Sequence, residues 1–218
     1  RFYSWLLAGV WSLCIAGSFL WNVHQQARHV HEMTRTGAQI TFENDVLYRR
    51  WAARQGGVYV RASKETPPNP YLDVPERDVT TTSGLSLTLV NPAYMVRQVN
   101  EMADQTAPSR GHITSLRPIR PENAPDPWEA EALRAFERGA KEVSSVEQTG
   151  QGEYLRLMRP FFVEKDCLRC HASQGYREGD IRGGISVSVP TAPQWTIERK
   201  TTARLALAHV GLWMLGLA

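Results

Sequence analysis

The N-terminal segment from Phe2 to Val23 is 22 residues long and carries no charged side chain. As an α-helix it would measure about 33 Å, and the hydrocarbon core of a bilayer is about 30 Å thick. Trp5 and Trp21 lie near its two ends, where aromatic side chains favour the membrane interface. A cleavable signal peptide has an apolar core of only ~7–15 residues before its cleavage site, and this run is longer. The sequence therefore predicts an uncleaved transmembrane helix over residues 1–23.

The other end of the chain is also apolar, from Leu205 to Ala218. Fourteen residues are too few to cross a bilayer, so we expect residues 201–218 to be the first part of a second transmembrane helix. A short amphipathic terminal helix is the alternative. All thirteen prolines lie between Pro67 and Pro193, which places turns and strands in the middle of the chain. The predicted layout is a membrane helix, a globular domain over residues 24–200, and a second membrane helix.

The globular domain shows both helical and strand patterns. Phe42 and Val46, and then Leu47 and Trp51, have i,i+4 spacing, which predicts an apolar stripe on a second helix or a continuation of the first. The segment DVTTTSGLSLTLV predicts a hairpin that turns at Ser83-Gly84, and GGISVSVP alternates as a final strand. Several antiparallel strands with helices on one face indicate an α+β, PAS-like fold with a long N-terminal helix.

Two helices inside the domain have clear start signals. Asn91 is predicted to be the N-cap of the first, with Pro92 at its first position. Asp126 is predicted to cap the second, and Glu129 completes a capping box. Three residues of the first helix are predicted to share its buried face: Met95, Val99 and Met102.

Charge and cysteine content exclude two classes of protein. The net charge is +3 and no block of lysine and arginine occurs, so we expect no nucleic-acid partner. Three cysteines are too few for a disulfide scaffold. Because Cys14 lies in the apolar N-terminal run, Cys167 and Cys170 are the pair available for chemistry.

The stretch KDCLRCHASQGY places His171 directly after this pair, as in the attachment motif of c-type haem. Each thiol would add across one vinyl group of a single covalent haem, and His171 would be the proximal iron ligand. A thioredoxin-like pair is a competing interpretation, but it requires a βαβ frame. A structural zinc site is another, but it requires two further ligands, and the remaining histidines of the domain are scattered.

The second axial ligand of the iron is open at this point. Met95 is a candidate because a thioether favours ferrous iron, although a methionine at helical spacing also suits a packed core. Met158 and His112 are the other protein candidates, and water or an empty position completes the set. Haem propionates usually pair with arginine, and three arginines could serve if they are not ordinary surface charges: Arg182, Arg159 and Arg117.

Five strings carry a family resemblance: RRWAARQGGVYV, PNPYLDVPERD, LTLVNPAYMVRQ, HITSLRPIRPENAPDPWEAEAL and CLRCHASQGYREGDIRGGISVSVP. From about Phe42 to Pro190 the chain resembles the haem-c-containing PAS-like sensor domains of bacterial transmembrane receptors. The resemblance implies a periplasmic sensor with one covalent haem, held between two helices of the inner membrane. In such receptors the cytoplasmic part is a histidine kinase, a chemotaxis signalling region or a cyclic-dinucleotide enzyme, and none of these is present in the 218 residues.

We therefore expect a sensor and not an enzyme. The stimulus would be redox state or a small gas such as nitric oxide or carbon monoxide at the iron, passed to the membrane helices of a homodimer. A membrane-anchored monohaem electron carrier is the main alternative, and peroxidase-like catalysis is a weaker one. Ligand exchange separates the first two, because a carrier usually keeps two strong protein ligands.

Overall fold

The computed structural model describes residues 2–106 and 109–218, so Arg1 of the predicted membrane helix lies outside the described residues. The helices are α1 (Phe2–Arg54), α2 (Pro92–Thr106), α3 (Pro127–Glu137), the single turn α4 (Leu168–His171) and α5 (Ala192–Leu217). The strands are β1 (Val58–Arg61), β2 (Asp78–Thr80), β3 (Ser86–Val90), β4 (Arg110–Thr114), β5 (Val143–Thr149), β6 (Gly152–Phe162) and β7 (Ile181–Pro190). Short 3-10 turns cover Pro121–Asn123, Lys165–Cys167 and Ala172–Gln174.

The strands form two antiparallel sheets. The smaller has the order β1-β3-β2, and its β2–β3 hairpin turns at Gly84, whose φ of 82° is in the left-handed region. The larger has the order β4-β7-β6-β5, with Leu157 opposite Val187 and Ile113 opposite Ile185. The predictions of an α+β fold and of the hairpin are confirmed.

The larger sheet is buried on both faces. On one face α1 and α2 cover the first core cluster, which comprises Ala38, Phe42, Val96, Ile113, Leu155, Leu157, Ile185 and Val187. On the other face α3 covers the second core cluster, which comprises Ala132, Leu133, Phe136 and Met158. The expectation of helices on one face only is wrong, because the neighbours Leu157 and Met158 point to opposite faces and both are fully buried.

The first helix is continuous for 53 residues. It passes through Gly37 without a break. The residues after Gly37 therefore continue the first helix and do not form a separate second helix. The helix ends at Arg54, and Gly56 and Gly57 follow with left-handed φ values of 74° and 103°. At Gly57 a Cβ atom would also lie 2.7 Å from Leu89 Cδ1, so a side chain there would have to displace Leu89.

α1 and α5 pack as an antiparallel pair. Trp213 Nε1 donates to Ser12 Oγ at 2.9 Å, and Ser18 Oγ lies 3.2 Å from His209 Nε2. Among the described residues, α1 has a stretch that is long and apolar enough to cross a membrane, and that stretch is not buried in the protein. A signal sequence near an N-terminus would pass the same test. α5 does not pass it, so the second membrane helix remains a prediction.

The buried face of α2 differs from the predicted one. Tyr94, Val96 and Asn100 are buried, whereas Val99 is 39% exposed and Met102 is 68% exposed. The pattern misleads because a polar residue, Asn100, occupies the buried stripe and hydrogen-bonds to Asp45 of α1. The predicted cap is confirmed, since Asn91 Oδ1 accepts from the Tyr94 amide at 3.1 Å.

The capping box of α3 is also confirmed. Asp126 Oδ1 accepts from the Glu129 amide at 2.8 Å, and Glu129 Oε2 accepts from the Asp126 amide at 3.0 Å. We expect Asp126→Ala to lower the free energy of unfolding by about 1–2 kcal/mol, because the cap and an ion pair with Arg156 are both lost. Chemical denaturation measures the change. Asp126→Asn keeps the capping oxygen and should recover most of the loss, and equal loss in both variants would contradict the capping explanation.

Candidate functional site

The Cys-x-x-Cys-His segment forms a compact helical loop between β6 and β7. A 3-10 turn, α4 and a second 3-10 turn follow one another, and Gly175 with φ 83° ends the series. The base of the loop is closed by two backbone hydrogen bonds, from the Val163 amide to the Asp180 carbonyl (2.8 Å) and from the Gly179 amide to the Val163 carbonyl (2.9 Å). This frame brings Cys167, Cys170 and His171 to the wall of one cleft.

The cleft lies between this loop, α1 and the start of α2. It contains about 1250 Å³ of empty space, part of it open to solvent. Ligand sites are mostly apolar and carry a few convergent polar groups, and the lining of this cleft has that character. Its apolar wall includes Phe42, Val46, Leu72, Leu89 and Phe161, and its cations are Arg49, Arg50, Arg169 and Arg182.

The two motif cysteines are free, half-buried thiols. The Glu164 amide donates to Cys167 Sγ at 3.4 Å, which orients that side chain. Burial raises the pKa of the Cys170 thiol, whereas a thioredoxin-like pair requires a depressed thiol pKa. Within the described part of the chain, no group of three or more His, Cys, Asp or Glu side chains could hold a metal ion. Neither the redox-pair nor the zinc interpretation therefore gains support.

The geometry of His171 favours metal ligation through Nε2. Its Nδ1 lies 2.7 Å from Gln174 Oε1 and 3.3 Å from Arg182 Nε. The first contact requires a proton on Nδ1 and the second requires a lone pair there, so the two cannot coexist. The shorter contact with Gln174 decides for protonated Nδ1, which leaves the Nε2 lone pair free. Burial lowers the pKa of His171. The bond to Gln174 opposes this shift, whereas the positive charges of Arg182 and Arg49 add to it, and the net shift is downward. The imidazole is therefore neutral at neutral pH.

The three arginines considered for propionates lie in different places. Arg182 is 9% exposed, lines the cleft and donates from Nη1 to Ser115 Oγ at 2.7 Å. Arg117 lies over the Tyr176 ring, 4.9 Å from its centroid. Arg159 does not line the cleft and forms ion pairs of 2.8 Å with Glu43 and 2.7 Å with Glu142.

Comparison with known proteins identifies the family. The family model described as Tll0287-like matches residues 22–190, which is most of the chain. The chain belongs to the Tll0287-like family. A solved structure described as "Crystal structure of the cyanobacterial heme-protein Tll0287" is similar, with 17% sequence identity and a TM-score of 0.45. The match covers 72% of this chain and 94% of that one. No curated protein matches the chain.

The three candidates for a second iron ligand do not line the cleft of this Tll0287-like domain. Met95 packs against the first core cluster, in line with its core alternative. Met158 is fully buried in the second core cluster, under α3. His112 bonds through Nδ1 to Glu129 at 3.0 Å, on the face of the sheet that α3 covers. The structure therefore brings none of them to the motif.

Sequence reasoning missed Arg49 as a site residue of the Tll0287-like domain. It follows Phe42 and Val46 at helical spacing and faces the same cleft. A cation on the apolar face of a helix was the available signal, since charged residues are rarely buried without a partner. Asn91 was noted only as a helix cap, yet it also lines the cleft.

Proposed function

We propose that the cleft holds one covalent haem c, attached through Cys167 and Cys170, with His171 as the proximal iron ligand. The observation that carries the proposal is the meeting of both thiols and a neutral imidazole with a free Nε2 at the wall of one large apolar cleft. Membership of a family named for Tll0287, which is described as a heme-protein, supports the same class of ligand.

The residues of the site fit this group. The two thiols would anchor one edge of the ring, and Phe42, Leu89 and Phe161 would exclude water from its faces. Gln174 fixes the His171 tautomer through the 2.7 Å contact. When bound, the haem would supply reversible binding of an electron or of a small gas at iron.

We further propose that the domain is a PAS-like sensor in a membrane-bound bacterial receptor, with the domain in the periplasm and the chain acting as a homodimer. The position of α1 supports this role, because α1 lines the cleft and continues unbroken into the apolar N-terminal stretch. At the other end, Thr191 alone separates β7 from α5. A change at the cleft would therefore act directly on both terminal helices. Any catalytic output would come from a cytoplasmic part outside these 218 residues.

The lining of the cleft favours sensing over electron transfer. Apart from His171 and the two motif cysteines, the described residues that line it include no histidine, methionine or cysteine. A carrier with two strong protein ligands would require one of these. An open or water-filled sixth position is what a gas sensor uses.

Acid–acetone extraction tests the covalent haem. The full chain, produced in cells that mature c-type cytochromes, should keep its haem in the protein fraction. The double variant Cys167→Ala/Cys170→Ala should release it into the organic phase, and Cys14→Ala, which removes the third cysteine, should behave like the unaltered chain. Complete extraction from the unaltered chain would refute the proposal.

An alkaline phosphatase fusion tests the proposed location. We expect a fusion after Asn100 to be active, because haem c attachment and this enzyme both require the periplasmic side. A fusion after Arg1 should stay inactive as the matched control. An inactive fusion after Asn100, with the fusion protein present at normal amounts, would place the domain in the cytoplasm.

A further inference from the structure

Arg49 is a half-buried cation in the lining of the cleft. Its Nη1 atom is shielded from solvent and has no hydrogen-bond partner among the described residues. Asp45, one turn earlier in α1, is an acidic neighbour, but its Oδ2 is likewise buried without a partner. The Phe161 ring lies 4.4 Å from the guanidinium carbon and offers only its π face. A shielded guanidinium nitrogen that lacks a hydrogen-bond acceptor is costly, so the arrangement suits an anionic ligand.

Arg182 adds a second cation to the lining of the same cleft. It belongs to β7, donates from Nη1 to Ser115 Oγ at 2.7 Å, and forms no ion pair with a carboxylate in the described part of the chain. Burial lowers the pKa of Arg49 to about 10, with Cys167 and Asp45 opposing the shift and Arg182 adding to it. Arg49 therefore stays cationic at neutral pH, close enough to Arg182 to be repelled by it.

Both arginines lie where two cavities meet. Arg49, His171 and Arg182 line the large cleft and also a smaller neighbouring cavity of about 670 Å³ of empty space. An anion between the two guanidiniums would thus be next to the proposed proximal ligand. Carboxylates suit this position, because arginine binds them through two parallel N–H bonds.

We propose that Arg49 and Arg182 form a carboxylate-binding pair that holds a haem propionate at the junction of the two cavities. The inference rests on the proposed haem site and adds Arg49 as a positioning residue for the group. A free carboxylate is the other source of the same chemistry, and the experiment separates the two.

The test uses the haem-loaded full chain and its resonance Raman propionate-bending band, which reports hydrogen bonding to the haem carboxylates. We expect the band to shift in R49Q and the midpoint potential to fall, because a positive charge near the ring is removed. R49K should keep most of the potential while still shifting the band, since lysine is a point charge without the bidentate fork. R54Q removes the same charge from the same helix, outside the cleft lining, and should leave the band unchanged.

An unchanged band in R49Q overturns the inference while leaving the covalent haem intact, because acid–acetone retention is measured on the same samples. If R49Q does not fold, the band of R49K decides in the same way.

Acetate serves as the free carboxylate. If acetate raises the unfolding temperature of the unaltered chain but not of R49Q, and the band is unchanged in R49Q, the pair binds free carboxylate and the propionate assignment is wrong. Absence of haem from the unaltered chain would refute the proposed function and this inference with it.

Discussion

Replacing Glu129 by alanine should lower the free energy of unfolding by about 3–5 kcal/mol, because a buried ionic network loses its centre. Glu129 is 1% exposed and joins three partners beneath α3. Its carboxylate accepts from the Ser186 hydroxyl and lies 3.0 Å from His112 Nδ1 and 3.1 Å from Arg156 Nη2. Without it, a buried hydroxyl and a mostly buried guanidinium are left with fewer partners, and a cavity opens beneath α3.

Thermal unfolding of the Glu129→Ala variant measures the loss. For a chain of this size, 1 kcal/mol corresponds to roughly 2–4 °C, so a drop of about 6–20 °C is expected. Glu131 is exposed on the same helix, and Glu131→Ala should change stability by no more than about 0.5 kcal/mol. Equal effects of the two variants would show that helix α3, and not the network, is responsible.

The same network makes stability depend on pH. The bond to Glu129 raises the pKa of His112 in the folded protein. The stabilisation that protonated His112 provides is therefore complete below the ordinary histidine pKa of 6.5 and is lost as pH rises through the raised pKa of the folded state. Burial alone would raise the pKa of Glu129, but the bonds from His112 and Ser186 outweigh it, and the net shift is downward. The stabilisation that the Glu129 carboxylate provides is complete above the ordinary glutamate pKa of 4.5 and is lost as pH falls through the lowered pKa of the folded state. Stability from the pair should peak between these values, and His112→Gln should remove the alkaline decline.

The local signals in the sequence were sufficient for most elements of the fold. The Asn91 and Asp126 caps and the turn at Gly84 depend on neighbouring residues, so the pattern contains the information that fixes them. The motif likewise predicts which side chains meet at the cleft, because Cys167, Cys170 and His171 lie within five residues.

The sequence could not show which polar side chains are buried, because their burial depends on partners that are distant in the sequence. Asn100 sits in the buried stripe of α2 because Asp45 of α1 bonds to it. Glu129 is both a capping residue and the centre of a buried network, and only the first role is local. Arg49 faces the cleft because α1 continues past Gly37, and periodicity alone left that continuation undecided.

Carbon monoxide should bind to the ferrous haem-loaded chain, and at saturation the absorption spectrum should show full conversion to the carbon monoxide complex. The described lining of the cleft offers no second imidazole or thioether, so in the proposed haem site the sixth iron position would be open or hold water that a gas could displace. The ferric and ferrous spectra, recorded with and without carbon monoxide and nitric oxide, test this directly. His171→Ala should alter the spin state of both forms while the thioether bonds persist, because the proximal ligand is lost.

Met95→Ala provides the sharpest comparison for the same question. Met95 packs against the first core cluster and does not line the cleft, so the variant should keep both spectra and lose stability by about 1–3 kcal/mol. Val99→Ala, on the exposed side of the same helix, should change neither the spectra nor the stability appreciably. If the unaltered chain ignores both gases and Met95→Ala changes its spectra, then Met95 reaches the iron in the loaded protein. The domain would then carry two strong ligands, as an electron carrier or a redox sensor does, and the gas-sensing proposal would fail.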